Sequence, residues 1–223
     1  MIRRSVLLLG LVAAPLVAAA PALRVKASPA VAPCVVAAAA EYERAAGRRV
    51  AVETVAVGSP DSADGADVVV AADRELNRVI ESGASHPELD MEVARIPWVL
   101  AGPPGTAAPD LRSLGRSGSV VRSLDGVVAR ETWRRLRLQG FAPARVERVR
   151  ETPLRLQAGE AAVVPLSLAG PSPVTTLDVP PLSVHALGVR ASPRQDAARA
   201  FLDFLAGEPG NAAFRACGRT EAR

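Results

Sequence analysis

The residues Gly65-Ala66-Asp67-Val68-Val69-Val70-Ala71-Ala72-Asp73 place an apolar run between turn residues and an aspartate. An unbroken run of valine and alanine between turn residues is typical of a strand that is buried on both faces. We therefore predict a buried strand over 68–71. An aspartate directly after such a run suits the start of a helix, because its carboxylate accepts hydrogen bonds from free backbone N–H groups. Asp73 accordingly predicts a helix that runs to Gly83.

The same alternation of strands and helices continues on both sides of this stretch. Further strands are predicted over 23–27, 49–55, 96–101, 119–122, 146–150, 161–164, 174–177 and 182–189. Helices are predicted over 32–46, 126–139 and 192–206, with short ones near Asp110, over 152–158 and after Pro209. Residues 57–65 are rich in Gly, Ser, Pro and Asp and predict a loop. Strands that alternate with helices indicate an α/β fold with mostly parallel sheets flanked by helices.

The N-terminus has the pattern of a secretory signal. Arg3 and Arg4 precede an apolar run over 5–18, and small residues follow. This order of charged, apolar and small residues predicts a signal peptide over 1–22 that is cleaved near residues 20–22. The apolar run is shorter than the roughly 20 residues that a membrane-spanning helix needs. We expect a soluble mature protein in the periplasm, exported by either the general or the twin-arginine route.

Charge and composition limit the partners of the chain. Removing Arg3 and Arg4 with the signal lowers the formal net charge from +4 to +2. Several arginines fall close together: Arg130, Arg134, Arg135, Arg137, Arg145, Arg148, Arg150 and Arg155. A nucleic-acid surface would interleave more aromatic side chains among such arginines. We predict a solvated helix face that attracts anions and does not bind nucleic acid.

The sequence lacks the motifs of the common enzyme classes. Neither His86 nor His185 has metal-ligand spacing around it, and no nucleophile elbow occurs. The stretch Gly102–Thr106 follows a strand as a phosphate-binding loop would, but the required Gly-Lys-Ser/Thr is absent. We therefore predict that the protein is not an enzyme and has no cofactor and no metal site.

Short motifs recur in a definite order along the mature chain. They are Ala27-Ser28, Gly58-Ser59, Gly65–Asp73, Ile96–Leu100, Asp110–Leu114, Gly126–Glu131, Gly159–Ala162 and Ala197–Leu205 followed by Phe214. This order resembles the periplasmic molybdate-binding proteins of ABC transporters, which are type II periplasmic solute-binding proteins. The resemblance covers nearly all of the chain after the signal.

The resemblance implies a two-lobed α/β fold whose lobes are joined by two crossover strands. Lobe 1 would comprise residues 23–97 plus 187–223, and lobe 2 residues 98–186. A small anion would bind in the cleft between the lobes. An inner-membrane ABC transporter permease would then recognise the closed, monomeric protein.

The resemblance also suggests which residues contact the ligand, namely Ser28, Ser59, Asp125, Gly126 and Ser167. Serine hydroxyls and the N–H groups at helix N-termini hold oxyanions without formal positive charge. A molybdate-like oxyanion is the leading ligand. Asp125 either caps the helix that starts at Gly126 or faces the cleft, where it would repel an oxyanion and anchor a neutral or cationic solute. A ligand-free interaction or sensor protein is a further alternative.

Cys34 and Cys217 are the two cysteines of the chain. Disulfides persist in the oxidising compartment that the signal predicts. In the family that the chain resembles, the C-terminal segment packs on the first lobe, which implies that the two cysteines are neighbours. We therefore predict a Cys34–Cys217 disulfide. The alternative is two separate buried thiols.

Overall fold

The computed structural model describes residues 21–114, 120–124, 126–143, 145–149 and 154–217. The helices are α1 (Ala32–Ala46), α2 (Asp73–Glu81), α3 (Leu111–Leu114), α4 (Gly126–Leu138), α5 (Gln195–Ala206) and α6 (Glu208–Ala216). The strands are β1 (Leu23–Ala27), β2 (Val50–Thr54), β3 (Val68–Ala72), β4 (Ser85–Ile96), β5 (Trp98–Ala101), β6 (Val120–Ser123), β7 (Arg145–Arg148), β8 (Glu160–Pro165), β9 (Val174–Thr176) and β10 (Leu182–Val189). Of the predicted signal peptide, residues 1–20 lie outside this description. No helix among the described residues has the length and apolarity to cross a bilayer.

The first sheet forms around β3, which contains the apolar run over residues 68–71. Its strand order is β2-β1-β3-β10-β4, and β3 is buried along its whole length. The parallel strand β1 lies between β2 and β3, whereas β10 runs antiparallel to both β3 and β4. The valines of β3 are packed on both faces, which is why this strand reads as an unbroken apolar run. Helices α1, α5 and α6 pack together on this lobe.

The second sheet forms the other lobe, with the order β7-β6-β8-β5-β9. Strands β6, β7 and β8 are parallel, and β5 runs against β8 and β9. Both sheets are therefore mixed, because one described strand in each opposes its neighbours. The chain crosses between lobes at Pro97 and again over residues 177–181, which confirms the two-lobed fold with two crossovers. The predicted lobe boundary at 187 falls inside β10, all of whose pairings are in the first sheet.

Two predicted elements differ from the observed ones. A single strand was predicted over 96–101, whereas the structure has β5 at Trp98–Ala101 and a separate strand, β4, over Ser85–Ile96. Charged side chains point outward along β4 and Pro87 interrupts the pattern, so the segment lacks a clear strand signal. The helix predicted over 152–158 is absent from the described residues 154–157, which have no regular structure. Residues 152 and 153 lie outside the description.

Asp67 anchors the C-terminal segment to the first sheet. This carboxylate is almost completely buried at the start of β3. It accepts hydrogen bonds from the Arg24 backbone N–H at 2.7 Å, the Ser192 hydroxyl at 2.5 Å and the Arg194 Nε at 2.9 Å. Ser192 was expected to cap a helix, and its hydroxyl does accept from the Arg194 backbone N–H at 3.0 Å while donating to Asp67, but α5 begins only at Gln195. A buried charge is tolerated when it is paired and fully hydrogen-bonded, as here.

The predicted disulfide is confirmed. Cys34 lies in the first turn of α1 and Cys217 directly follows α6, and their sulfur atoms are bonded, with the Cα atoms 5.2 Å apart. The alternative of two separate thiols is therefore wrong. The bond connects two packed helices at the edge of lobe 1 where β1 ends.

Candidate functional site

The candidate site lies where the parallel strands of each lobe end. In lobe 1, β1 leads through Ser28 into α1, and β3 leads directly into α2. In lobe 2, β6 leads toward Gly126 at the start of α4. Open α/β sheets bind ligands at this edge, because helix N-termini and their free N–H groups converge there.

A cavity of about 160 Å³ separates the two lobes at this edge. Asp73 and Arg74 line it from lobe 1, Thr132 lines it from lobe 2, and Pro180 and Pro181 line it from the second crossover. The cavity therefore has walls from both lobes and from a segment that connects them. Movement of one lobe against the other would change its volume.

Ser28 is the buried residue at the centre of the lobe 1 edge. Its backbone N–H donates to the Val70 carbonyl at 3.0 Å, and its carbonyl accepts from the N–H groups of Val31 and Ala32 at 3.0 and 2.9 Å. These bonds fix the turn between β1 and α1. The Ser28 hydroxyl is fully buried and makes no hydrogen bond with any described residue. Ser28 lies between the first strand and the first helix, as the sequence predicts, and the Glu75 carboxylate is beside its hydroxyl.

Glu75 is a neighbour of Ser28 that the sequence analysis missed. Its carboxylate accepts a hydrogen bond from the Ala72 N–H at 3.1 Å, at the start of α2. Burial raises the pKa of this carboxyl above its ordinary value, and the Ser28 hydroxyl and the Ala72 N–H act in the opposite direction. A glutamate in the first turn of a helix has the pattern of a capping residue. No local pattern in the sequence distinguishes a capping glutamate from one that also lies beside a ligand site.

Ser167 connects the two lobes. It lies in a short 3-10 helix, Leu166–Leu168, after β8. Its buried hydroxyl donates to the carbonyl oxygen of Ala30, in the loop between Ser28 and α1, at 2.5 Å. The structure thus brings Ser167 to the same loop as Ser28, but as a contact between lobes. Its hydroxyl proton is already donated within the protein.

Three further residues were predicted to contact the ligand, namely Ser59, Gly126 and Asp125. Ser59 is exposed at the start of a short 3-10 helix, Pro60–Ala63, and its hydroxyl lies 3.4 Å from that of Ser62. Gly126 is the first residue of α4. Asp125 lies outside the described residues, so both of its predicted roles stay predictions.

The described residues contain no group of three or more His, Cys, Asp or Glu side chains that could hold a metal ion. His185 Nδ1 lies 3.0 Å from Asp90 Oδ1 on the adjacent strands β10 and β4. This pair belongs to the surface of the first sheet and not to the edge where the lobes meet.

Comparison with protein families decides the affiliation of the chain. Residues 23–220 match the bacterial extracellular solute-binding protein family. The chain belongs to this family. No curated protein matches the sequence of this solute-binding protein.

Solved structures share the fold at low sequence identity. The periplasmic molybdate-binding protein of Azotobacter vinelandii is 16% identical with a TM-score of 0.68, and the match covers 88% of this chain and 97% of that one. The substrate-binding domain of a putative molybdenum ABC transporter from Clostridium difficile is 15% identical with a TM-score of 0.65, covering 88% and 96%. The sulfate-binding protein of Mycobacterium tuberculosis is 17% identical with a TM-score of 0.61, covering 88% and 85%. These similarities establish the type II periplasmic binding protein fold.

Proposed function

We propose that this solute-binding protein captures a small oxyanion of the molybdate or sulfate type in the cleft between its lobes. It would deliver the anion to an inner-membrane ABC transporter permease. The protein would act in the periplasm after removal of residues 1–22. The solved structures of similar fold include a molybdate-binding and a sulfate-binding protein, which supports this ligand class.

The observation that carries the proposal is the buried hydroxyl of Ser28, which makes no hydrogen bond of ordinary geometry with a described residue although the Glu75 carboxylate lies beside it. A buried polar group without a hydrogen bond costs roughly 1–3 kcal/mol of folding free energy. Ser28 sits between β1 and the N-terminus of α1, where the helix dipole favours an anion. An oxyanion that accepts the Ser28 hydroxyl proton would satisfy this group. Closure of lobe 2 onto the Ala30 loop would then exclude water from the bound anion.

Glu75 favours a second candidate, a neutral or cationic solute that carries a hydrogen-bond donor. A carboxylate repels an anion that is bound beside it and attracts a cation. Glu75 lies next to Ser28. The Glu75 carboxylate could therefore accept a hydrogen bond from a polar organic solute while the Ser28 hydroxyl donates one to it. The two candidates make opposite predictions about pH.

Calorimetric titration of the mature protein with molybdate, tungstate and sulfate tests the oxyanion proposal directly. We expect binding, and a ligand at 100 times its dissociation constant should add about 2.7 kcal/mol to the free energy of unfolding. Ser28→Ala should weaken binding by roughly tenfold or more, since hydrogen bonds to charged groups contribute about 1.5–3 kcal/mol. Ser82→Ala, at the exposed end of α2, is the matched control. Absence of heat and of any thermal shift with all three anions would overturn the proposal.

The pH dependence of binding separates the two candidates. Binding an oxyanion beside Glu75 favours its protonated form, so affinity should fall as pH rises from 4.5 through the raised pKa of this carboxyl. Glu75→Gln should remove that dependence and strengthen binding at neutral pH. A cationic or donor-bearing solute, found by screening amino acids and metals, should instead bind more tightly as pH rises and lose affinity in Glu75→Gln. Oxyanion affinity that is independent of pH would exclude contact with Glu75.

A further inference from the structure

We propose that lobe 2 carries a second binding site, for a small organic anion with an aromatic or branched aliphatic body. The site is a groove of about 720 Å³ between α4 and β7, called here the arginine groove. All of its lining residues belong to lobe 2, so it is separate from the cavity between the lobes. They are Ser123, Leu124, Ala129, Arg130, Trp133, Arg134, Arg137, Leu138, Val146, Glu147 and Arg148.

The arginine groove has an apolar surface that the fold leaves uncovered. Leu138 and Val146 line it with 79% and 48% of their surface exposed. The Trp133 ring is held in place, because it stacks on Phe141 with centroids 5.9 Å apart and its Nε1 donates to the Ser123 hydroxyl at 2.6 Å. A ligand body that packed on these side chains would remove apolar surface from water.

The rim of the arginine groove is positively charged. Arg130, Arg134 and Arg137 follow one another at spacings of four and three along α4, which places them on one face of the helix. Glu131 pairs with Arg134 and Arg135. Within the described part of the chain, Arg130 and Arg137 make no ion pair and no hydrogen bond.

Glu147, the one carboxylate among the described residues of the groove, does not cancel this charge. Glu147 lines the groove, but its Oε1 lies 2.7 Å from Nη2 of Arg145. The guanidinium groups of Arg130 and Arg137 therefore have no carboxylate partner among the groove residues. An anionic group bound near them would complement the charge of the rim.

The apolar surface of the arginine groove and its positively charged rim together define the class of ligand. An inorganic oxyanion would gain nothing from the Trp133, Leu138 and Val146 surfaces, and an uncharged organic molecule would leave the arginines unused. Guanidinium groups bind carboxylates in a bidentate way and also stack on aromatic rings. The volume falls within the roughly 300–1,000 Å³ of small-molecule sites, which favours a small ligand over a flat macromolecular surface.

The matched pair 4-tert-butylbenzoate and 4-tert-butylbenzamide tests this assignment, since the two differ in the anionic group. Calorimetry on the mature protein should show the benzoate binding at least about tenfold more tightly than the benzamide, with affinity that falls at high salt. The benzoate should also change the fluorescence of Trp133, and Trp133→Phe should remove that change while buried Trp98 still reports folding. Sodium sulfate should leave Trp133 unaffected.

Paired variants locate the site. Arg130→Gln/Arg137→Gln should lower benzoate affinity about tenfold, as expected for the loss of two partly exposed ion pairs. Arg48→Gln/Arg49→Gln removes two exposed arginines of lobe 1 and should have no effect. Leu138→Glu should abolish binding without unfolding the protein, because the Leu138 side chain is mostly exposed.

Three results would overturn the inference. They are equal affinity for benzoate and benzamide, identical affinities of the two double-arginine variants, and absence of benzoate binding. Phosphatidylglycerol vesicles that bind the protein through Arg130 and Arg137 while benzoate does not would make the groove a membrane-contact surface instead.

Discussion

Two buried polar groups lie at opposite edges of the first sheet, and they differ in the number of hydrogen bonds that they make. Asp67 precedes β3 and accepts three hydrogen bonds, from Arg24, Ser192 and Arg194. Ser28 follows the parallel strand β1, and its buried hydroxyl makes none with a described residue. The strands run in the same direction, so Asp67 lies at the edge away from lobe 2 and Ser28 at the edge that lobe 2 contacts.

The difference separates a structural polar group from a candidate binding group. Buried polar atoms are almost always hydrogen-bonded, and each exception calls for a specific explanation. At the Asp67 edge, polar bonds attach the C-terminal segment to the sheet. At the Ser28 edge, the Cys34–Cys217 disulfide makes the attachment covalently, and the Ser28 hydroxyl has the Glu75 carboxylate beside it but no hydrogen bond of ordinary geometry. The following variants test this division of roles.

Removing the disulfide should have the largest effect. Cys34→Ala/Cys217→Ala opens a loop of 183 residues, for which the chain-entropy model gives about 5 kcal/mol of lost unfolding free energy. Urea unfolding of the double variant and of the reduced parent protein should agree. A loss below about 1 kcal/mol would show that the polar bonds at Asp67 hold the C-terminal segment unaided.

Asp67→Ala should lower the free energy of unfolding by about 3 kcal/mol, because it leaves a half-buried guanidinium and a buried N–H without a partner. Asp67→Asn should cost less, since the amide oxygen still accepts a hydrogen bond. Glu88→Ala, which removes an exposed carboxylate 3.8 Å from Arg199, is the control and should change stability by less than about 0.5 kcal/mol. Anion affinity of the folded Asp67 variants should be unchanged; a weakened affinity would contradict the separation of roles.

Ser167→Ala should favour the open arrangement of the lobes by about 1 kcal/mol, the net contribution of one hydrogen bond. The change removes the donor to the Ala30 carbonyl. Small-angle X-ray scattering of the ligand-free protein should show a larger radius of gyration. Ser172→Ala is the control. The Ser172 hydroxyl is buried in the same lobe as Ser167 but makes no hydrogen bond with a described residue, so its removal should not affect the contact between the lobes. Equal radii in the two variants would mean that this bond does not hold the lobes together.

Ser28→Ala should have the smallest effect on ligand-free stability. We expect a change of less than about 1 kcal/mol, because the variant removes a buried hydroxyl without a hydrogen bond of ordinary geometry and also removes its stabilising effect on the Glu75 carboxylate. Urea unfolding without ligand measures it. A loss of more than about 1 kcal/mol would show that Ser28 is a structural residue like Asp67, and would remove the main support for the ligand site.

Local patterns predicted those elements whose burial shows directly in the sequence. Strand β3 is apolar throughout because both of its faces are covered. Helix α1 carries Pro33 in its first turn and Gly47 with a positive φ at its end, so its bounds were predicted to the residue. Strand β4 was mostly missed, because one of its faces carries charged residues and its pairing with β10 depends on residues about 90 positions away.

The residues of the candidate site also differ in whether a local sequence pattern could predict them. Ser28 was predicted because a serine between a strand and a helix is a local pattern. Glu75 was not, because its position beside Ser28 depends on the parallel pairing of β1 with β3. Ser167 was predicted as a ligand contact, but its distance to Ala30 gives its hydroxyl a partner in the other lobe.

Sequence patterns were therefore enough to predict the α/β class, most of the elements, the family and a Cys34–Cys217 pair. The first three follow from local periodicity and motif order, and the cysteine pair follows from the C-terminal packing that the family resemblance implies. Only the tertiary structure decided which buried polar groups are satisfied, which carboxylate lies next to Ser28 and which arginines surround a groove. A hydrogen bond forms or fails to form over a few tenths of an ångström, and such distances between remote residues arise only when the lobes are packed.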